Sequence, residues 1–139
     1  MTPKEYLQQA YKIDRKINLN LLKLQSMKDA LHGRAVSYES DGSQHVSQGN
    51  AIENAILRVM EYEEQIDTEI DKLTEKRQEI ERVIASVPDD VQREILTRRY
   101  LGYQKWELIA VEMNYSIQHI YRLHGIALKN VRLNESIML

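Results

Sequence analysis

A seven-residue hydrophobic repeat over residues 52–87 constrains the fold of this chain most strongly. Its apolar positions alternate in steps of three and four residues, with Glu63 and Arg77 as the two interruptions: Ile52, Ile56, Val59, Ile66, Ile70, Leu73, Ile80, Ile84 and Val87. Charged residues fill most positions between them. This pattern is typical of a long helix that buries one stripe and exposes the rest, so it requires a partner helix.

The first thirty residues supply such a partner. Thr2, Pro3 and Glu5 form a helix-start signature. Thr2 supplies a capping hydroxyl, Pro3 occupies the first helical position, and the Glu5 side chain can accept a hydrogen bond from the backbone N–H of the capping residue. An apolar stripe with the same spacing follows, and only Asn20 interrupts it: Tyr6, Ala10, Ile13, Ile17, Leu24, Met27 and Leu31. We expect a second long helix here.

Residues 32–50, HGRAVSYESDGSQHVSQGN, separate the two stripes and hold three of the five glycines. They show no sustained period, which predicts a long loop that lets the chain turn back. Residues 1–87 are therefore expected to form an antiparallel, coiled-coil-like helical hairpin. One short hairpin leaves part of its stripe exposed, so we also expect this domain to form a homodimer.

The remaining segment, 88–139, reads as a second domain of short helices. A helix beginning after Pro88 carries Val91, Ile95 and Leu96 inward and ends at Gly102. The next helix presents an apolar side with Trp106 and Ile109. Asn114 and Tyr115 form a turn, and Ser116 caps the last helix. Two helices joined by about three residues predict a helix-turn-helix.

Charge is segregated along the chain, although its net value is only −2. Residues 1–87 hold 12 Lys and Arg against 15 Asp and Glu, whereas residues 93–132 hold seven against three. From Ser116 to Leu133 there are three basic residues and no acidic one. A net positive, acid-free terminal helix favours DNA as the partner, whereas a strongly acidic one would have favoured a protein.

The last helix divides into two faces. Ile117, Ile120, Leu123 and Ala127 recur at helical spacing and share one side. Gln118, His119 and Arg122 point elsewhere, and they are side chains of the kind that reads base edges, although an ordinary solvated surface has the same composition.

Residues 93–132 resemble region four of bacterial sigma factors, which binds the −35 promoter element. The resemblance rests on RRYL at 98–101, the aromatic-Glu-x-Ile-Ala pattern at 106–110, the hydroxyl at 116, and Ala-Leu-Lys at 127–129. It implies that Gln118, His119 and Arg122 read bases in double-stranded DNA. It also implies a set of phosphate contacts: Arg98, Arg99, Lys105, Ser116, Lys129 and Arg132. Position 117 is Ile where sigma factors usually carry a charge, so no target sequence carries over.

The layout of the whole chain is similar to small phage-encoded transcriptional regulators of the ArpU and RinA kinds. This resemblance implies transcriptional control by a phage or prophage in the cytoplasm of a bacterial host. Nothing in residues 1–87 looks like the part of a sigma factor that melts promoter DNA. An alternative is a protein-interaction module whose coiled helices bind RNA polymerase or another phage component. A protein that recognises DNA at the start of packaging is a variant of the DNA-binding hypothesis.

Enzymatic, metal-dependent and membrane functions have little support in the sequence. No nucleophile elbow, phosphate-binding loop or metal-ligand spacing occurs, so we expect no enzymatic activity, no cofactor and no metal. His119 and His124 are five residues apart on one helix, which does not align them on one metal. Cysteine is absent, and no apolar stretch is long enough to span a membrane.

Overall fold

The computed structural model describes residues 1–41 and 46–133, and for residues 34–41 and 46–49 it describes the backbone alone. Within these ranges the chain is all-α, as the sequence predicts, and contains no strand. It forms five α-helices: α1 (Pro3–Asp41), α2 (Val46–Ala85), α3 (Asp90–Leu96), α4 (Trp106–Met113) and α5 (Ile117–Asn130). A π-helical turn, Thr97–Leu101, follows α3 directly. None of these helices, over the described residues, is long and apolar enough to cross a membrane.

The predicted capping box at the start of α1 is present. Thr2 Oγ1 accepts a hydrogen bond from the Glu5 backbone N–H at 3.2 Å, and Glu5 Oε2 accepts one from the Thr2 backbone N–H at 3.2 Å. Two backbone donors that a helix start leaves without intrahelical partners are satisfied in this way.

The predicted loop at residues 32–50 is wrong for most of its length. α1 continues to Asp41 and α2 begins at Val46, while residues 42–45 lie outside the described residues. Residues 32–41 contain one glycine and no proline. Glycine costs a helix only about 1 kcal/mol relative to alanine, so an established helix can continue through such a segment without an apolar period.

The chain divides into two compact units. We call Met1–Asp14 with Thr74–Leu139 the terminal unit, and Arg15–Leu73 the middle unit. The sequence places a domain boundary between residues 87 and 88, a position that falls inside the terminal unit. The beginning of α1 and the end of α2 therefore group with the three short helices.

Within the terminal unit, α1 and α2 contact each other in the antiparallel sense. Tyr6 Oη donates to Glu79 Oε2 at 2.6 Å, and Arg77 Nε lies 3.0 Å from Asp14 Oδ1. The hydroxyl of Tyr103, in the segment before α4, lies 3.1 Å from the Ala10 carbonyl oxygen and also contacts the Asp14 carboxylate, so its single proton faces two acceptors on α1. These bonds hold the first turns of α1 against the C-terminal part of the chain.

The three short helices enclose their own hydrophobic cluster. Ile95, Ile109, Ala110 and Ile120 form its buried centre. Five partly buried side chains pack around them: Val91, Trp106, Met113, Ile117 and Leu123. These are largely the positions that the helical spacing predicts, and they fix α5 against α3 and α4.

The middle unit pairs the central parts of α1 and α2, with Lys28 Nζ 3.2 Å from Glu63 Oε1. Leu24, Val59 and Ile66 are buried as the repeat predicts, but Ile56 is 41% exposed and Ala55 is buried nearby. A straight helix has 3.6 residues per turn, so a strict seven-residue stripe drifts around it. Asn20 is 8% exposed, and its Nδ2 has no hydrogen-bond partner among the described residues.

Candidate nucleic-acid interface

The connection between α4 and α5 is a three-residue turn whose backbone suits its sequence. Asn114 adopts a left-handed conformation, with φ 59° and ψ 39°, which asparagine tolerates better than most residues. Its backbone N–H donates to the carbonyls of Ala110 and Val111, closing α4. Ser116 is extended, and its Oγ accepts a hydrogen bond from the His119 backbone N–H at 3.2 Å. The predicted turn and cap are thus both present.

α5 has one buried face and one solvent-facing face. Ile120 and Ala127 are fully buried, and Leu123 is partly buried against the cluster of the short helices. Gln118 and Arg122 are exposed, and His119 is half-buried. The structure therefore places the three predicted base-reading residues together on the first two turns of α5.

His119 and Arg122 form a connected pair on this face. Arg122 Nη2 lies 3.1 Å from His119 Nδ1, so a neutral imidazole with an unprotonated Nδ1 accepts a hydrogen bond from the guanidinium. The His119 ring also meets the edge of Tyr115, with 4.9 Å between ring centroids. These contacts position Arg122 beside the turn while its other donors remain available.

Arg98 is held by carboxylates, unlike the other predicted phosphate contacts in the part of the chain that the structure describes. Its Nε lies 3.0 Å from Glu94 Oε2, and its Nη1 forms an ion pair with Glu112. The hydrogen bond with Glu94 is the largest of the effects that raise the pKa of Arg98. Arg98 connects α3 to α4, and a phosphate would have to compete with two acidic partners for it.

Arg99 is a cation without a carboxylate partner in the described part of the chain. Its guanidinium carbon lies 4.5 Å from the centroid of the Trp106 ring, and its Nη1 donates to the Gln104 carbonyl at 2.9 Å. Both contacts fix the guanidinium in place and leave its charge unneutralised. The side chain is half-buried, beside the segment that leads into α4.

The remaining predicted phosphate contacts flank α4 and α5. Lys105 directly precedes α4, Lys129 lies in the last turn of α5, and Arg132 follows that helix; all three are exposed. None of them forms an ion pair within the described ranges. Ser116 uses an oxygen lone pair for the cap, which leaves its O–H free to donate.

Sequence reasoning missed the buried pair formed by His124 and Tyr100. Tyr100 Oη lies 2.7 Å from His124 Nε2, and the His124 ring meets the edge of Trp106 with 4.5 Å between centroids. Burial, and then the positive charges of Lys4 and Arg99, lower the pKa of His124 to about 4. The signal was available in the sequence, because His124 follows Ile120 by one helical turn on the buried face.

No group of three potential metal-ligating side chains converges anywhere in the described ranges. The geometry is that of a surface with hydrogen-bonding and cationic groups.

One protein-family model matches the chain over residues 5–131, and its description reads "Protein of unknown function (DUF722)". The match spans the long helices as well as the three short ones. No curated protein and no solved structure matches the chain.

Proposed function

The chain belongs to DUF722, a family of unknown function, and we propose that this protein is a DNA-binding transcriptional regulator of a phage or prophage. In this proposal α4, the turn and α5 act as a helix-turn-helix on promoter or operator DNA. α5 enters the major groove of double-stranded DNA, in the cytoplasm of a bacterial host. The resemblance to sigma region four supports the placing of α5 as the recognition helix.

The observation that carries the proposal is the solvent-facing side of α5. Gln118 and Arg122 are exposed immediately beyond the Ser116 cap, and His119 bonds to Arg122. An arginine side chain can donate two hydrogen bonds to guanine O6 and N7, and a glutamine can pair in a similar way with adenine. The first turns of a recognition helix are the part that contacts base edges.

The charge around α5 supports the same proposal. α5 contains no acidic residue, and Lys105, Lys129 and Arg132 are exposed cations with no carboxylate bound to them in the described structure. Phosphate contacts from such residues orient a protein on the duplex without reading sequence. Arg98 is the weakest member of the predicted set because Glu94 and Glu112 already bind it.

Exposed apolar side chains favour a protein partner as a second candidate function. On α4, Leu108 is 44% exposed and Val111 is 73% exposed. A module that docks on RNA polymerase or another phage component would use such a surface. A DNA-packaging protein would also bind DNA, but it would do so to start packaging and not to control transcription.

Selection of DNA fragments from a random pool by the purified full-length chain tests the proposal. The enriched fragments should share a sequence, and binding should weaken steeply with salt. Four or five phosphate contacts give a slope of about one log unit of affinity per log unit of salt for each contact. An affinity that does not change with salt, or a pool without enrichment, would point to the protein-binding function.

A further inference from the structure

A cavity of about 430 Å³ lies in the terminal unit, and none of the described residues that line it belongs to α5. α1, the π-helical turn, the segment after it and the first residue of α4 line this cavity, and Gln118, Arg122 and Lys129 do not. Its volume falls within the range of about 300 to 1,000 Å³ that is typical of small-molecule sites.

Three cations line the cavity, and among the described residues no Asp or Glu does. Lys4 and Lys12 are exposed and lie two turns apart on α1, so they share one face of that helix. Neither forms an ion pair in the described part of the chain. Arg99 adds a guanidinium fixed by Trp106 and by the Gln104 carbonyl. Such a lining attracts an anion and repels a cation.

Aromatic rings form the rest of the wall. Tyr11 and Tyr103 meet edge to face, with 5.3 Å between ring centroids, and they are 49% and 37% exposed. Tyr103 has a φ of 55°, a left-handed conformation that is rare for a bulky residue and recurs at ligand sites. Its hydroxyl bonds to Ala10 and Asp14, which hold the ring in place.

We propose that this cavity binds a nucleoside phosphate. The phosphate lies among Lys4, Lys12 and Arg99. The base stacks on the exposed ring of Tyr11 and meets the ring of Tyr103 edge to face, because these two rings are inclined at 76° to each other. A simple anion would use the cations and leave the rings without a role, whereas a planar group that carries a phosphate uses both. The same chemistry is present in a free nucleotide and in an unpaired nucleotide of single-stranded nucleic acid.

Fluorescence of Trp106 reports directly on this site, because Trp106 lines the cavity and is the chain's one tryptophan. Adenosine 5′-monophosphate, titrated into the full-length protein, should change that fluorescence saturably. Adenosine alone and inorganic phosphate alone should each bind at least about ten-fold more weakly, since each keeps only half of the contacts.

Three variants separate the site from general charge effects. Lys4→Gln combined with Lys12→Gln should weaken adenosine monophosphate binding at least about ten-fold, and Tyr11→Ala should weaken it by a similar factor. Lys23→Gln is the matched control, because Lys23 is exposed on α1, lies in the middle unit and does not line the cavity. It should leave binding unchanged.

An eight-residue oligothymidylate and a duplex complete the experiment. Binding of the oligonucleotide with the same variant pattern supports the site and assigns single-stranded nucleic acid as its source, while binding of the mononucleotide alone assigns a free nucleotide. The proposal is overturned if neither probe binds saturably up to about 5 mM. It is also overturned if Lys23→Gln weakens binding as much as the double variant does. A third contrary result is a double variant that weakens binding to the duplex and leaves binding of the mononucleotide and the oligonucleotide unchanged.

Discussion

Acidification should destabilise the terminal unit through His124, a buried imidazole in a positive environment. The His124 side chain is 9% exposed, bonds to Tyr100 Oη at 2.7 Å and contacts Trp106. Lys4 from α1 and Arg99 from the π-helical turn face it as positive charges. Because burial and these cations disfavour the imidazolium, the pKa of His124 falls from 6.5 to about 4.

The sign of the effect follows from where the protons bind. Between these two pKa values the unfolded chain holds a proton on His124 that the folded chain lacks, so the free energy of unfolding rises with pH in this window. One pKa unit corresponds to about 1.36 kcal/mol, so the full interval is worth about 3 kcal/mol. This stability is present above about pH 6.5 and is lost as the pH falls toward 4.

Urea unfolding measures the change in the free energy of unfolding. Trp106 fluorescence is a suitable signal because the Trp106 ring contacts His124. The reference is His124→Gln, which keeps a hydrogen-bonding side chain and removes the titration. Between about pH 7.5 and about pH 4.5 the native protein should lose about 2 to 3 kcal/mol more than the variant. Equal losses in both proteins, or an imidazole of His124 that titrates near 6.5 by NMR in the folded state, would refute the reasoning.

Three further predictions concern packing and assembly. Ile120→Ala should lower the free energy of unfolding by about 2 to 5 kcal/mol because Ile120 is fully buried, whereas Val111→Ala, at a 73% exposed site, should change it by less than about 0.5 kcal/mol; urea unfolding compares the two. Asn20→Leu should raise the free energy of unfolding by about 1 to 3 kcal/mol, because it removes a buried amide donor without a partner in the described structure; a lower value would mean that the amide is satisfied. Light scattering should show a dimer at tens of micromolar, and Leu57→Glu, at a 56% exposed site on α2, should shift it toward a monomer; a monomeric native protein would contradict self-association.

Periodic and local features of this fold are predictable from the sequence. The capping box of Thr2 and Glu5 and the Ser116 cap depend on neighbours three residues apart. The inward positions of Ile109 and Ile120 follow from helical spacing. Such features need no knowledge of where distant segments lie, because a helix brings residues three and four apart onto one face.

Long-range pairing accounts for most of what the sequence does not reveal. Tyr103 bonds to Ala10 and Asp14 on α1, roughly ninety residues earlier in the chain, and no local pattern indicates this docking. It joins the beginning of α1 to the C-terminal part of the terminal unit. The wrong loop prediction has a different origin, since the absence of an apolar period was read as the absence of a helix.

The candidate interface is predictable to a similar extent. Spacing places Gln118 and Arg122 on the solvent-facing side of α5, where the structure has them. Glu94, four residues before Arg98 on the same helical path, is a partner that the sequence offers, but Glu112 reaches Arg98 only through the folding of α4. The difference between Arg98 and Arg99, two adjacent cations, is therefore a property of the tertiary structure.

Binding-site selection on the native protein, Arg122→Ala and Lys129→Ala tests the DNA-reading role of α5 most directly. Both side chains are exposed, so thermal melts should show folded variants. Arg122→Ala should lose discrimination at one base position, worth about 1 to 3 kcal/mol, while Lys129→Ala should weaken binding to all sequences about equally. If folded Arg122→Ala selects the same sequence as the native protein with undiminished preference at every position, α5 does not read the DNA through Arg122, and the account is contradicted.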